Sequence, residues 1–136
     1  MGKPPVAATL TWQGDLRFEA SSRANTFLLD GNSAAGPSPV LTLAFSIAGC
    51  MAMDVVDIVR KGRHPVRAME AIFDGDRAET HPRRFIAIRL KFVLHGDVPA
   101  EAVERAIALS REKYCSVWHS LRPDIPLEVT TVITPA

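Results

Sequence analysis

Two cysteines, Cys50 and Cys115, are the residues of this chain best placed by type to carry chemistry. A thiol becomes a nucleophile only as thiolate, so it needs a cation, a base or a helix N-terminus beside it, because apolar burial alone silences it. Cys50 lies in the most apolar stretch of the sequence, where a free cysteine serves as a small hydrophobe unless such a partner reaches it across space. Arg17 offers a guanidinium from an alternating strand that turns it opposite to Phe18; a solvated surface role is the competing reading. Cys115 sits in Lys113-Tyr114-Cys115-Ser116-Val117-Trp118, on or next to an amphipathic helix.

Metal binding is a second chemistry open to these residues. Cys115 and His119 stand at i, i+4 and could chelate on one helix face with Cys50 as third ligand. No CxxC, HxxxH or HExxH accompanies them, and His64, His81 and His95 lie beside turn signals, so neither a metal nor a cofactor is expected. Asp54 and Asp57 could form a carboxylate pair, but near the polar end of a helix they are expected to face solvent or to pair with Arg60 or Lys61. The chain has no Gly-rich phosphate loop and no GxSxG, which demotes nucleotide binding, hydride transfer and serine hydrolysis.

The elements that must position these groups are bounded by the totals. With 136 residues the chain is expected to form one domain, 1–136, with a core of its own. Sixteen basic and fifteen acidic residues, interspersed to a net charge of +1, leave no footprint for nucleic acid or an anionic membrane. The opening Met1-Gly-Lys-Pro-Pro lacks a secretory h-region, and a cytoplasmic protein is expected, in which thiols stay reduced unless they are redox-active. The apolar run Val40 to Met53 contains Thr42 and Ser46, and is read as too short and polar to cross a bilayer.

Val6 to Gln13 and Leu16 to Ser21, joined at Gly14-Asp15, read as a hairpin, with Thr26 to Leu29 as a third strand. Ser38 as N-cap and Pro39 at the first helical position start a helix that runs to about Lys61 and stops at Gly62. Ala48-Gly49 is a place where that helix could bend or break just before Cys50. Val66 to Phe73 and Phe85 to His95 read as a second meander, the latter with Ile86, Ile88, Leu90, Phe92 and Leu94 on one face. A helix from Asp97-Val98-Pro99, continued or followed by a turn at Cys115 to Leu121, and a last strand Leu127 to Ile133 complete the chain. Strands in consecutive runs favour an α+β fold of antiparallel sheets with helices packed on them.

Two motifs sharpen this reading. Ser38-Pro39 with its apolar run into Gly49-Cys50, then Met53-Asp54-Val55-Val56-Asp57-Ile58-Val59 with Lys61 and Arg63, resembles the central helix of the OsmC/Ohr family, in particular its OsmC-like branch. Ala106 to Ser110, leading to Glu112-Lys113-Tyr114-Cys115-Ser116-Val117, is similar to the second cysteine motif of that branch. The element order matches as well, so the resemblance covers nearly the whole chain.

The resemblance implies an intertwined homodimer, with sheets packed around two long helices and two active sites at the subunit interface. It implies reduction of organic hydroperoxides: Cys50 would attack the O–O bond and become a sulfenic acid, Cys115 would condense with it, and a dithiol would reduce the disulfide. In such proteins an arginine from the N-terminal meander and a glutamate on the central helix ionise the first thiol. Arg17 is the best positional match for the arginine and Arg23 the second, whereas the glutamate position holds Leu41 or Val40, with Glu19 and Asp54 as conceivable substitutes. The alternative on the same fold is a binding module, a weakly active or inactive dimer holding an apolar ligand or sensing oxidants.

Overall fold

The computed structural model describes residues 2–135 in an α+β fold of two compact units, the first ending at Leu43 and the second beginning at Ala44. Met1 and Ala136, the ends of the expected domain, lie outside the described residues.

The first unit is a three-stranded antiparallel meander, β1 (Thr9–Trp12), β2 (Arg17–Ser22) and β3 (Asn25–Asp30). Its register sets Leu10 opposite Ala20 and Trp12 opposite Phe18, and then Phe27 opposite Ala20 and Leu29 opposite Phe18. Directly opposed residues share a face, so these six apolar side chains line one side. Arg17, Glu19, Leu28 and Asp30 take the other. Three strands alone cannot bury such a face, and Trp12 stays 65% exposed. Beyond β3 the buried Asp30 carboxylate accepts the backbone N–H groups of Asn32 and Ala35, each at 2.9 Å, closing the loop that leads to the helix.

α1 (Pro39–Lys61) starts as the sequence predicts: Ser38 Oγ accepts the Leu41 N–H at 3.1 Å, and Pro39 follows the cap. It then runs unbroken for 23 residues, so the expected break at Ala48-Gly49 does not occur. One interior glycine among helix formers costs only about 1 kcal/mol, too little to interrupt a long packed helix. Ala44, Ile47, Ala48, Met51, Val55 and Val59 form its buried stripe. By length and apolar composition α1 as a whole, which continues past Met53 to Lys61, would be able to span a membrane. The core helix of a water-soluble fold passes the same test.

α1 ends at Lys61 with Gly62 after it, as expected. His64 N–H bonds Val59 O at 3.2 Å and Arg63 N–H bonds Arg60 O at 2.9 Å, the paired closure in which the residue after the cap turns left-handed. That residue is Arg63, at φ 64°, while Gly62 is the cap itself. An arginine there bears the Cβ penalty that glycine avoids. Arg63→Gly is expected to stabilise the fold by roughly 0.5–1 kcal/mol, net of glycine's larger unfolded-state entropy. A urea midpoint equal to or below that of the parent would contradict this.

The second unit contains β4 (Ala68–Arg77), β5 (Phe85–His95) and β6 (Leu127–Thr134), with β5 in the centre. Ile88, Leu90, Phe92 and Leu94 of β5 are buried on one face as the alternation predicts, while Ile86 is exposed. β4 and β5 are antiparallel, but β6 runs parallel to β5, so the expectation of wholly antiparallel sheets is corrected to one antiparallel and one mixed sheet. The cause is the connection: α2 (Ala100–Leu109), a π turn (Ser110–Tyr114) and α3 (Ser116–His119) lie between the two strands and form the crossover that a parallel neighbour requires. Gly96, just past β5 at φ 138°, lets the chain turn where a Cβ would meet Pro65 O at 2.2 Å.

Candidate active site

Cys50 lies in the interior of α1, half-buried, and Cys115 between the π turn and α3, fully buried. Their sulfurs and one carboxylate oxygen of Asp54 all lie within 4.8 Å of one another. Both cysteines are free thiols.

Asp54 follows Cys50 by one helical turn, so both side chains leave the same face of α1. Ser110, fully buried and 56 residues away in sequence, donates its hydroxyl to Asp54 Oδ2 at 2.8 Å. Asp54 therefore does not face solvent or pair with Arg60 or Lys61 as expected; Asp57 is the residue that pairs with Lys61, at 2.9 Å. Ser110 lies within the second cysteine motif but the sequence assigns it no role of its own, although its place five residues before Cys115 is the signal that could have found it. Within the π turn Cys115 N–H reaches back to Ser110 O at 2.9 Å, so one widened turn sets both the hydroxyl and the second sulfur. Such turns recur at functional sites because they re-aim side chains that a regular helix would point elsewhere.

Cys115 caps α3, its sulfur accepting the Trp118 N–H at 3.3 Å. Burial outweighs that bond and, with the Cys50 thiol and the Asp54 charge beside it, pushes the Cys115 thiol up to about 11. At neutral pH Cys115 is thus an un-ionised thiol, unfit to be the first nucleophile. His119, the metal ligand envisaged with Cys50 and Cys115, is exposed at the end of α3. Among the described residues Asp54, not His119, completes the group around the two sulfurs.

Arg17 lies in the N-terminal unit, where its Nε is 3.5 Å from Asp30 Oδ2. The Asp30 carboxyl is held below its ordinary value, first by the Ala35 N–H, then by that of Asn32, with a smaller contribution from Arg17. Arg23 occupies the tight β2–β3 turn, exposed and left-handed at φ 52°. Leu41 is exposed on the first turn of α1 and Val40 half-buried beside it; neither offers a carboxylate.

A long helix bearing one thiol, a second thiol brought to it from after a crossover helix, and an N-terminal meander are the features this chain combines. The chain belongs to the OsmC-like protein family, whose pattern matches residues 30–130. Its sequence is 42% identical over 115 residues to protein YhfA of Escherichia coli K12, covering 82% of this chain and 86% of that protein. Its fold is similar to the crystal structure of a hypothetical protein from Aquifex aeolicus, with a TM-score of 0.91 and 28% identity over 98% of this chain and 99% of the other. An organic hydroperoxide resistance protein from Legionella pneumophila shares the fold at a TM-score of 0.68 and 13% identity, over 96% of this chain and 99% of that one.

Proposed function

We propose that this protein is a thiol-dependent peroxidase that reduces organic hydroperoxides through a Cys50 sulfenic acid resolved by Cys115. The observation that carries the reading is the convergence of the two sulfurs within 4.8 Å from elements remote in sequence, one thiol fully buried and un-ionised, the other half-exposed. In the first step the Cys50 sulfur attacks the terminal oxygen of R–O–O–H. The O–O bond breaks, R–O⁻ takes a proton to leave as alcohol, and Cys50 keeps the hydroxyl as sulfenic acid. Cys115 then forms the S–S bond with loss of water, and a dithiol of the cytoplasmic reducing pool restores both thiols.

The working unit is a homodimer in which each chain's two units form parts of one domain, 1–136, closed by the partner. Two uncovered apolar surfaces support this. On α1, Leu41, Phe45 and Met53 form an exposed stripe, Met53 at 73%, and nothing lies within 4 Å of where a Gly49 Cβ would project. Only 28% of the most apolar window of α1 is buried in one chain. The meander's face of Leu10, Trp12, Phe18 and Phe27 is equally bare. Such extensive apolar exposure is a mark of an interface, and a second copy brings the same surfaces with it, as a two-fold contact requires.

Arg17 is the cation assigned to ionise Cys50, and it would exchange Asp30 for the thiolate in the dimer. Because Leu41 or Val40 stands where the family's glutamate would orient that arginine, a second reading keeps the fold and gives up turnover: a dimer that holds an apolar ligand or senses oxidants. Steady-state assays with cumene hydroperoxide and dihydrolipoamide separate the two. Turnover is expected, with hydrogen peroxide poorer by roughly tenfold or more, since burying an alkyl or aryl group of that size contributes about 1.5–3 kcal/mol. Equal turnover of both peroxides would contradict an apolar substrate site, and no turnover of either would leave the binding reading in its place.

A further inference from the structure

We propose that Asp54, clamped by Ser110, is the proton acceptor of the thiol pair, taking the proton of Cys115 as its sulfur attacks Cys50. The inference rests on the peroxidase reading for its physiological setting, and on the arrangement of Asp54, Ser110 and Cys115 for its substance.

Ser110 is fully buried and spends its hydroxyl on Asp54 Oδ2, which fixes the carboxylate from a separate element and leaves its second oxygen to accept a proton. The carboxylate lies within 4.8 Å of both sulfurs, and none of the ion pairs among the described residues engages it, whereas Asp57, one turn nearer the helix end, is neutralised by Lys61. As a purely structural device the placement is poor, because a negative charge beside two thiols opposes their ionisation. As a base it is apt. The Cys115 sulfur is fully enclosed, no histidine belongs to the cluster, and proton transfer requires an acceptor at close range.

The step balances as follows. The Cys115 sulfur forms the S–S bond with its electron pair while the S–O bond of the Cys50 sulfenic acid breaks. The Cys115 sulfur is oxidised and the Cys50 sulfur reduced. The S–H proton passes to Asp54 and from it to the departing hydroxide, so water leaves and the carboxylate is regenerated. Ser110 acts as a positioning residue. The π turn that carries it also carries Cys115, so the acceptor and the donor of that proton are held by one piece of backbone.

The experiment uses the full chain. Reduced protein is mixed with one equivalent of cumene hydroperoxide, and sulfenic acid and disulfide are counted over time with a sulfenic-specific trap. Asp54→Asn is expected to slow disulfide formation about 10²-fold, so that sulfenic acid builds up, and to make that step rise with pH towards the range where Cys115 ionises unaided. Asp54→Glu, which restores a carboxylate, should recover most of the rate. Ser110→Ala should slow it about tenfold, and carries the same readout if Asp54→Asn fails to fold. A second arm is independent of peroxide: Cys50 is loaded as a mixed disulfide with thionitrobenzoate, and its release reports attack by Cys115. Wild-type release with slow release from Asp54→Asn would uphold Asp54 even if no hydroperoxide were turned over, in which case only the peroxidase reading fails. Equal release rates in wild type and Asp54→Asn, with no pH dependence gained, would overturn the proposal.

Discussion

Cys50→Ser is expected to abolish hydroperoxide turnover, a loss on the order of 10⁴-fold or more, because the hydroxyl that replaces the thiol is neither ionised nor able to store the peroxide oxygen. Cys115→Ser should behave differently. Its first equivalent of hydroperoxide is consumed and leaves a stable Cys50 sulfenic acid, after which turnover falls to whatever rate an external thiol can sustain. The asymmetry comes from burial: Cys115 is fully enclosed and its thiol is raised to about 11, whereas Cys50 is half-exposed. Alkylation by iodoacetamide at pH 8 should therefore modify Cys50 in the folded protein well before Cys115. The same raised value gives a stability prediction of definite sign. An unfolded Cys115 ionises near 9.0 and the folded one near 11, so the stability present below pH 9 is lost as pH rises through that interval. Equal alkylation rates, or a Cys115→Ser variant that consumes no peroxide, would reverse the assignment of the two sulfurs.

How far this site could be read from the chain differs from residue to residue. The two thiols were legible because cysteine is rare here and each lies in a motif of its own. Their meeting was legible only through the family resemblance, because it depends on a crossover between β5 and β6 whose direction no strand pattern encodes: alternation reports which face is buried, not which way a neighbour runs. β5 was legible to the residue, since Ile88, Leu90, Phe92 and Leu94 fall at every second position with Arg89 and Lys91 among the residues between them, and the start of α1 was legible because a serine and a proline announce it chemically. Asp54 illustrates the opposite case. Its neighbours along the helix are Asp57, Arg60 and Lys61, which suggest a solvated end, and only a hydroxyl 56 residues away turns it inward. The helix stop at Gly62 was legible, but not that the left-handed position falls on Arg63 beside it, because composition favours the glycine. Arg17 and Asp30 pair directly across β2 and β3, a register that turns geometry could set but that neither residue type reveals alone.

The second large effect is expected at Phe92, and it concerns the frame that holds Cys115. Phe92 is the largest wholly enclosed side chain among the described residues. It lies mid-strand on β5, the centre of the mixed sheet, opposite Ala71 of β4 and Thr131 of β6. Its direct cross-strand partners are small or polar, so they offer little to refill the space that Phe92→Ala would open. The full cost of a large cavity, about 3–5 kcal/mol, should therefore appear, a large share of the 5–15 kcal/mol that holds a domain folded. Phe92→Leu, which keeps most of the volume, should lose about half as much or less. If the dimer is the working unit, the midpoint of the Phe92→Ala variant will rise with protein concentration, since unfolding is then coupled to dissociation. The same variant tests whether the site depends on the sheet. The π turn and α3 are strung between β5 and β6, so loosening that sheet should expose Cys115 to iodoacetamide at pH values where the parent resists, before global unfolding sets in. A midpoint shift of less than about 1 kcal/mol, with Cys115 still protected, would mean that the crossover holds its thiol without the strand beneath it.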